Sequence, residues 1–217
     1  MSLKVLIAED EKLLAQLLTK QLSESIPGVI VETVHSVAQL AELSTETVDV
    51  AVVDLALSDG SALNWVRGWS DRHPYKKAIV LTSRDEDFVL HGVFNSSVAG
   101  FVHKMDGLEF LEMAIRTVMA GGTFFSPRIQ AMRSKLSSDP NFFAKILSER
   151  EQHVLKLVGD GFNSAEIAQL LGLKNSTVLD HRKNIMQKLN LHSQSELMAY
   201  ALRKGFSDLN GRGVKAG

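Results

Sequence analysis

The chain has 217 residues, 45% apolar and 23% charged, and no cysteine, which excludes dominant disorder, disulfide frameworks, thiolate chemistry and cysteine-ligated zinc. Its net charge of −1 hides an asymmetry: 10 Lys+Arg against 17 Asp+Glu over residues 1–120, 3 against 1 over 121–139, and 11 against 7 over 140–217. An acidic first half with a basic tail points to two domains with different partners, a cation and a polyanion.

Residues 1–120 alternate between a strand period and a helix period. Residues 3–8 form a short apolar run that ends at Glu9-Asp10-Glu11. A helical stripe of Leu13, Leu14, Leu17, Leu18 and Leu22 follows, halted at Pro27-Gly28. Residues 29–34 read as strand, 37–43 as helix and 48–53 as a wholly apolar strand. Helix is expected over 63–69 and 88–94, strand over 78–81 and 100–102. A last helix carries Leu108, Leu111, Ile115, Val118 and Met119 at spacings of three and four. Near-continuous apolar strands alternating with helices demand a parallel sheet covered on both faces. The fold expected is a doubly wound, flavodoxin-like five-stranded α/β domain over residues 1–120.

Gly121-Gly122 closes that domain, and residues 121–146 read as a linker punctuated by Ser, Pro and Gly. No strand signal follows. Capping-box spacings at Ser148/Glu151, Asn163/Glu166 and Ser193/Glu196 place helices at about 148–159, 164–171, 176–189 and 194–204. They make a small all-α domain over 147–206, and residues 207–217 read as a flexible tail. No apolar run approaches the length of a membrane span, and the first 25 residues read as strand and charged helix, not as a signal peptide. A cytoplasmic protein is expected.

In a doubly wound sheet, ligands gather beyond the carboxyl ends of the strands. Glu9 and Asp10 follow the first strand, Asp54 the third, Thr82 the fourth and Lys104 the fifth. Carboxylates brought this close repel unless a hard cation lies among them, and Mg²⁺ takes a few carboxylates together with waters and phosphate oxygens. A carboxylate can also act as a nucleophile and form an aspartyl-phosphate, with lysine and a hydroxyl holding the phosphoryl oxygens. Each residue alone has a bland reading as a cap, a turn or a solvated charge. Five at matching strand ends are hard to assign to coincidence.

Val5-Leu6-Ile7-Ala8-Glu9-Asp10-Glu11, Val52-Val53-Asp54-Leu55, Val80-Leu81-Thr82-Ser83 and Gly100-Phe101-Val102-His103-Lys104 resemble the receiver domain of two-component response regulators. By that resemblance Asp54 is the phosphoryl acceptor. Asp10 and Asp54 bind Mg²⁺ directly, Glu9 acts through water, and the Ala56 carbonyl completes the set. Thr82 and Phe101 form the switch pair, Ser83 is suitably small beside the acceptor, and Lys104 binds the phosphoryl group. Ser58 stands where the family usually has proline, which implies a looser loop without loss of a ligand.

The second domain carries no legible catalytic constellation, and His153, His181 and His192 lack metal-ligand spacing. His181 shares a helical stripe with Val178, Ile185 and Leu189 and reads as a packed core residue. The short helix, turn and helix over 165–189 present their second helix to a DNA major groove. Leu147-Ser148-x-Arg150-Glu151, Gly161, Glu166-Ile167-Ala168, Thr177-Val178-x-x-His181 and Ile185-Met186-x-Lys188-Leu189 resemble the DNA-binding domain of NarL/FixJ/LuxR-type regulators. Lys174 replaces the serine that usually caps the recognition helix, leaving Asn175 or Ser176 to cap it. The resemblance implies DNA contacts from Ser176, Thr177, Leu179, Asp180, Arg182, Lys183, Gln187 and Lys188, with Arg182 and Lys188 toward phosphates.

Together these readings imply a transcription factor whose partners are a histidine kinase, Mg²⁺, double-stranded promoter DNA and, on phosphorylation, a second copy of itself. A phosphohydrolase using Asp54 is the rival from the enzyme class. It would need an acid/base two residues on, where Ala56 stands, so no catalytic residue and no turnover are expected. A non-phosphorylated interaction module is the other rival, opposed by the complete set Glu9, Asp10, Asp54, Thr82 and Lys104.

Overall fold

A computed structural model of the chain describes residues 2–43, 47–73 and 76–207. They divide into two compact units, one drawn from residues 2–85 and 90–133, the other from 86–89 and 134–207.

The first unit is built on strands β1 (Lys4–Ala8), β2 (Ile30–Val34), β3 (Val50–Val53), β6 (Lys77–Thr82), β7 (Gly100–His103) and β8 (Phe124–Phe125). They form one sheet in the order β2-β1-β3-β6-β7-β8, parallel at every pairing. Helices α1 (Lys12–Ser25), α2 (Val37–Glu42), α3 (Leu63–Arg72), α4 (Asp87–Phe94) and α5 (Leu108–Met119) connect them. The sheet therefore has the expected doubly wound form with one strand more than expected. β8 has two residues, too few to show a period.

One sheet face buries Val5, Ile7, Val50, Val52, Ile79, Leu81 and Val102 against Leu18 and Leu22 of α1 and Leu111, Ala114, Ile115 and Val118 of α5. The alternate residues Leu6, Ala51, Val53, Val80 and Phe101 are also buried and by the pleat belong to the other face. Burial on both faces is why these strands read as continuous apolar runs. Gly100 is required by packing, since a Cβ there would lie 2.8 Å from Ile79 Cγ1. The leucine stripe of α1 needs correction. Its buried line is Ala15, Leu18 and Leu22, while Leu13 and Leu17 are 72% and 50% exposed.

The loop after Asp54 folds into a small antiparallel hairpin of β4 (Ala56–Leu57) and β5 (Gly60–Ser61). The looseness expected without a proline is offset by Asp59. Its carboxylate accepts from the amides of Ala38 (2.9 Å) and Val37 (2.7 Å) in the first turn of α2, and these bonds hold it below the usual aspartate value.

Residues 121–146, expected as linker, contain regular structure. After β8 come α6 (Pro127–Ser138) and the short α7 (Phe143–Ile146). Pro127 starts α6 rather than breaking it, because proline at the first helical position loses no needed hydrogen bond. Of its apolar side chains only Ile129 and Leu136 are buried, a spacing too sparse to announce it.

The second unit packs α8 (Glu149–Gly159), α9 (Ser164–Leu171), α10 (Asn175–Lys188) and α11 (Gln194–Arg203) around Val154, Leu155, Val158, Ile167, Val178, Ile185, Leu197 and Ala201. Reciprocal capping boxes start α8 at Ser148/Glu151 and α9 at Asn163/Glu166. At α11 only half of the box forms, because Glu196 accepts from the His192 amide instead. Gly172 ends α9 in the left-handed region (φ 64°), which glycine adopts without steric cost and which turns the chain into α10. That helix begins one residue earlier than expected, with Lys174 at its N-cap and no side-chain cap bond. Neither Asn175 nor Ser176 caps it, because both already lie inside the helix. Among the described residues no helix is long and apolar enough to cross a membrane. The expected flexible tail lies outside the described residues beyond Ser207.

Candidate functional site

The winding of the chain reverses between β1 and β3, which opens a crevice at their carboxyl ends. Glu9 and Asp10 leave β1 there, and Asp54 leaves β3, its amide donating to the Ala8 carbonyl at 2.9 Å. One carboxylate oxygen from each of the three lies within 4.8 Å of the others. Glu9 is 1% exposed and Asp54 5% exposed, so most of this negative charge is withdrawn from water.

Lys104, just past β7, is the counter-charge. Its Nζ lies 2.6 Å from Asp54 Oδ2 and 2.8 Å from Glu9 Oε2. Burial by itself would lower the ammonium's pKa, but the bonds and charges of Asp54 and Glu9 together outweigh it and hold it raised. For Glu9, burial outweighs Lys104 and pushes the carboxyl upward, with the Asp54 charge adding to the rise. Asp54 Oδ1 accepts from the Ala56 amide at 3.1 Å. Three carboxylates against one ammonium leave an excess of negative charge in a partly buried crevice with a hard-oxygen donor set. Those residues fit a small divalent cation.

Thr82 ends β6, the strand paired with β3, and is fully buried, with Oγ1 accepting from the Arg84 amide at 3.1 Å. Phe101 is 0% exposed, its ring centroid 5.6 Å from that of Phe94. Ser83 is exposed. The sequence thus anticipated the meeting of Glu9, Asp10, Asp54 and Lys104. It did not indicate that His103, between Phe101 and Lys104, is buried with Nδ1 accepting from the Met105 amide at 3.1 Å.

In the helical unit, α9, Gly172 and α10 form a helix-turn-helix. Ser176, Leu179, Asp180, Lys183 and Gln187 are exposed on α10, and Thr177 is half-buried. Leu179 is 50% exposed, so it does not pack away against a neighbouring helix. The two residues expected toward phosphates also bond inside the unit. Lys188 Nζ lies 2.7 Å from Glu151 Oε2, and Arg182 donates to Gln194 Oε1 (2.8 Å) and Ser164 Oγ (3.0 Å). Both tie the recognition helix to its neighbours. His181 is half-buried rather than a core residue, while Val178 and Ile185 of its stripe are fully buried. Arg150, unassigned from sequence, donates to the Leu171 carbonyl at 3.2 Å and so closes the end of α9.

The family model of the response regulator receiver domain matches residues 5–116, and that of the bacterial regulatory proteins of the luxR family matches 145–201. The oxygen regulatory protein NreC of Staphylococcus epidermidis is 30% identical over 93% of this chain and 98% of its own length. NreC of Staphylococcus haemolyticus is 34% identical over 74% of this chain and 78% of its own. Among solved structures, the two-component response regulator RcsB in complex with DNA is similar, with 25% identity, 94% of this chain and 99% of that one covered, and a TM-score of 0.62. RcsB of Salmonella typhimurium is also similar, with 26% identity, 92% and 97% covered, and a TM-score of 0.57.

Proposed function

This chain belongs to the response regulators that join a receiver domain to a LuxR-type DNA-binding domain, and we propose that Asp54 is its phosphoacceptor. The observation that carries this reading is the Lys104 ammonium held between Asp54 and Glu9 at the crevice where the sheet reverses. An oxygen of Asp54 attacks the phosphorus of a kinase phosphohistidine. The O–P bond forms, the N–P bond breaks, and its electron pair returns to the imidazole. Asp10, Asp54 and the Ala56 carbonyl would hold Mg²⁺ directly and Glu9 through water. Bound there, the cation neutralises charge gathering on the phosphoryl oxygens. Lys104 then leaves its bond to Asp54 for a phosphoryl oxygen, and the Thr82 hydroxyl donates to another.

No acid/base stands at Ala56 to speed hydrolysis, so the protein acts as a phosphoryl-controlled switch and not as a turnover enzyme. Phosphorylation favours a dimer. One helix-turn-helix reads a half-site, and joining two raises affinity through effective concentration. On α10, Ser176, Thr177, Leu179, Asp180, Lys183 and Gln187 face promoter DNA, while Arg182 and Lys188 hold the helix in place. A cytoplasmic location suits a histidine-kinase partner and a DNA target.

Mass spectrometry after treatment with a small phosphodonor tests the reading. One added phosphoryl group is expected with Mg²⁺, none with chelator, and none in Asp54→Asn. Modification persisting in Asp54→Asn, or absent from the wild type, refutes the phosphoacceptor assignment. Sedimentation should then show a monomer-to-dimer shift with tighter DNA binding. An unchanged oligomeric state with unchanged affinity refutes the coupling.

A further inference from the structure

We propose that Arg133 is a positioning residue that reads the packing of Phe101 and carries it into α6. The inference rests on the reading of Asp54, Thr82, Phe101 and Lys104 as the phosphoryl site and its switch. Three contacts join the strand end bearing Phe101 and Lys104 to the segment that opens α6. Phe125 is the register partner of Phe101, and the Ser126 amide donates to the Phe101 carbonyl at 3.0 Å. The fully buried Ser126 hydroxyl accepts from the His103 amide at 3.1 Å. Asp106, two residues past Lys104, accepts from the Arg128 amide at 3.1 Å and so satisfies a free donor in the first turn of α6. Residues 101–106 and 125–128 are thus tied together step by step, and Ile129, 0% exposed, seats the helix.

The fourth contact is aromatic. The Phe101 ring packs 5.6 Å from Phe94 of α4, and Phe94 meets Phe125 edge-on at 6.2 Å. Phe94 and Phe125 are only half-buried. The Arg133 guanidinium covers both, 5.6 Å from the first ring centre and 5.4 Å from the second. Such attraction acts only within about 6 Å of a ring centre, so it depends on where both rings sit. Phe101 is close-packed and cannot turn or shift without displacing Phe94, because interiors transmit strain. Displacing Phe94 moves the seat of Arg133. Asp106 at the start of α6 and Arg133 in its second turn therefore give the helix two attachments to the switch, one beside Lys104 and one through Phe101. A change at either alters how α6 is held.

The test compares Arg133→Ala and Arg133→Lys with wild type in the full chain, using a duplex that the wild type selects from random DNA. Phosphoryl incorporation is measured with a small phosphodonor and Mg²⁺, and DNA affinity before and after treatment with beryllofluoride and Mg²⁺. Arg133→Ala should keep incorporation and its untreated affinity but lose roughly fivefold or more of the affinity ratio, at the lower end of ordinary coupling. Arg133→Lys, which can still place a cation over the rings, should regain most of it. Arg133→Ala with a wild-type ratio overturns the proposal. A wild type that takes no phosphoryl group instead overturns the underlying reading of Asp54. If the alanine variant fails to fold, hydrogen exchange of the wild type decides. Amides in residues 128–133 must change protection on beryllofluoride treatment, and unchanged protection overturns the proposal.

Discussion

Lys188, in the last turn of the recognition helix, is ion-paired at 2.7 Å with Glu151, a side chain only 6% exposed that also closes the capping box of α8. Burial alone would raise the Glu151 pKa, but the bonds from Lys188 and Ser148 together outweigh it and leave it below the ordinary 4.5. A pair that does this holds α10 against α8.

Lys188→Ala should therefore destabilise the helical unit by roughly 1–2 kcal/mol, less than a fully buried pair because the lysine is 43% exposed. Because the folded Glu151 has the lower pKa, the unfolded chain binds more protons as the pH falls below 4.5. Its contribution is complete above that value and is lost as the pH falls through the folded pKa. Calorimetry from about pH 5 to about pH 3 should show Glu151→Gln flattening the acid slope relative to wild type. Parallel slopes would count against the pair.

Lys174 occupies the N-cap of α10 without a capping bond. Lys174→Ser supplies an acceptor for an amide of the first turn and should stabilise the helical unit by about 0.5–2 kcal/mol. A higher melting midpoint is expected. No rise would mean that a serine hydroxyl at this N-cap does not reach an amide of the first turn.

Mg²⁺ should raise the melting midpoint of the receiver unit, by about 2.7 kcal/mol of stability at a hundredfold excess over its Kd. Chelator should reverse the shift and Asp10→Asn should diminish it. Lys104→Ala should enlarge it, since the three carboxylates then lose the ammonium that lies between Asp54 and Glu9. Equal shifts in wild type and Asp10→Asn would remove Asp10 from the ligand set.

Leu179, half-exposed in the second turn of α10, offers only apolar contact, best met by a thymine methyl. Asp180 can accept from cytosine N4 and repels phosphate, and Lys183 can donate to guanine. Selection from random DNA should yield altered base preference for Leu179→Lys and Asp180→Ala, each costing about 1–3 kcal/mol at the base pair it reads. Base preference that survives both changes, with affinity falling uniformly, would show that these side chains do not read sequence.

Local patterning determined the strands, the order of elements and the chemistry at the strand ends. Apolar runs buried on both faces are continuous in sequence, and Glu9, Asp10, Asp54, Thr82 and Lys104 each follow such a run by one or two positions. The capping boxes at Ser148 and Asn163 were legible for the same reason, since both partners lie within one helical turn. Tertiary structure decided what depends on partners far along the chain. Leu13 and Leu17 belong to the same apolar stripe as Leu18 and Leu22, yet only packing against the sheet and α5 selects which of them is covered. Asp59 makes up for a missing proline through amides 21 and 22 residues away, and Lys188 is claimed by a carboxylate 37 residues away. β8 is too short, and the buried apolar residues of α6 too sparse, to announce themselves. They are ordered by Phe101, His103 and Asp106, whose bonds to them span 22 to 25 residues and leave no period in the sequence. A periodic pattern records which face a segment buries, while the identity of its partner is fixed only when distant segments meet.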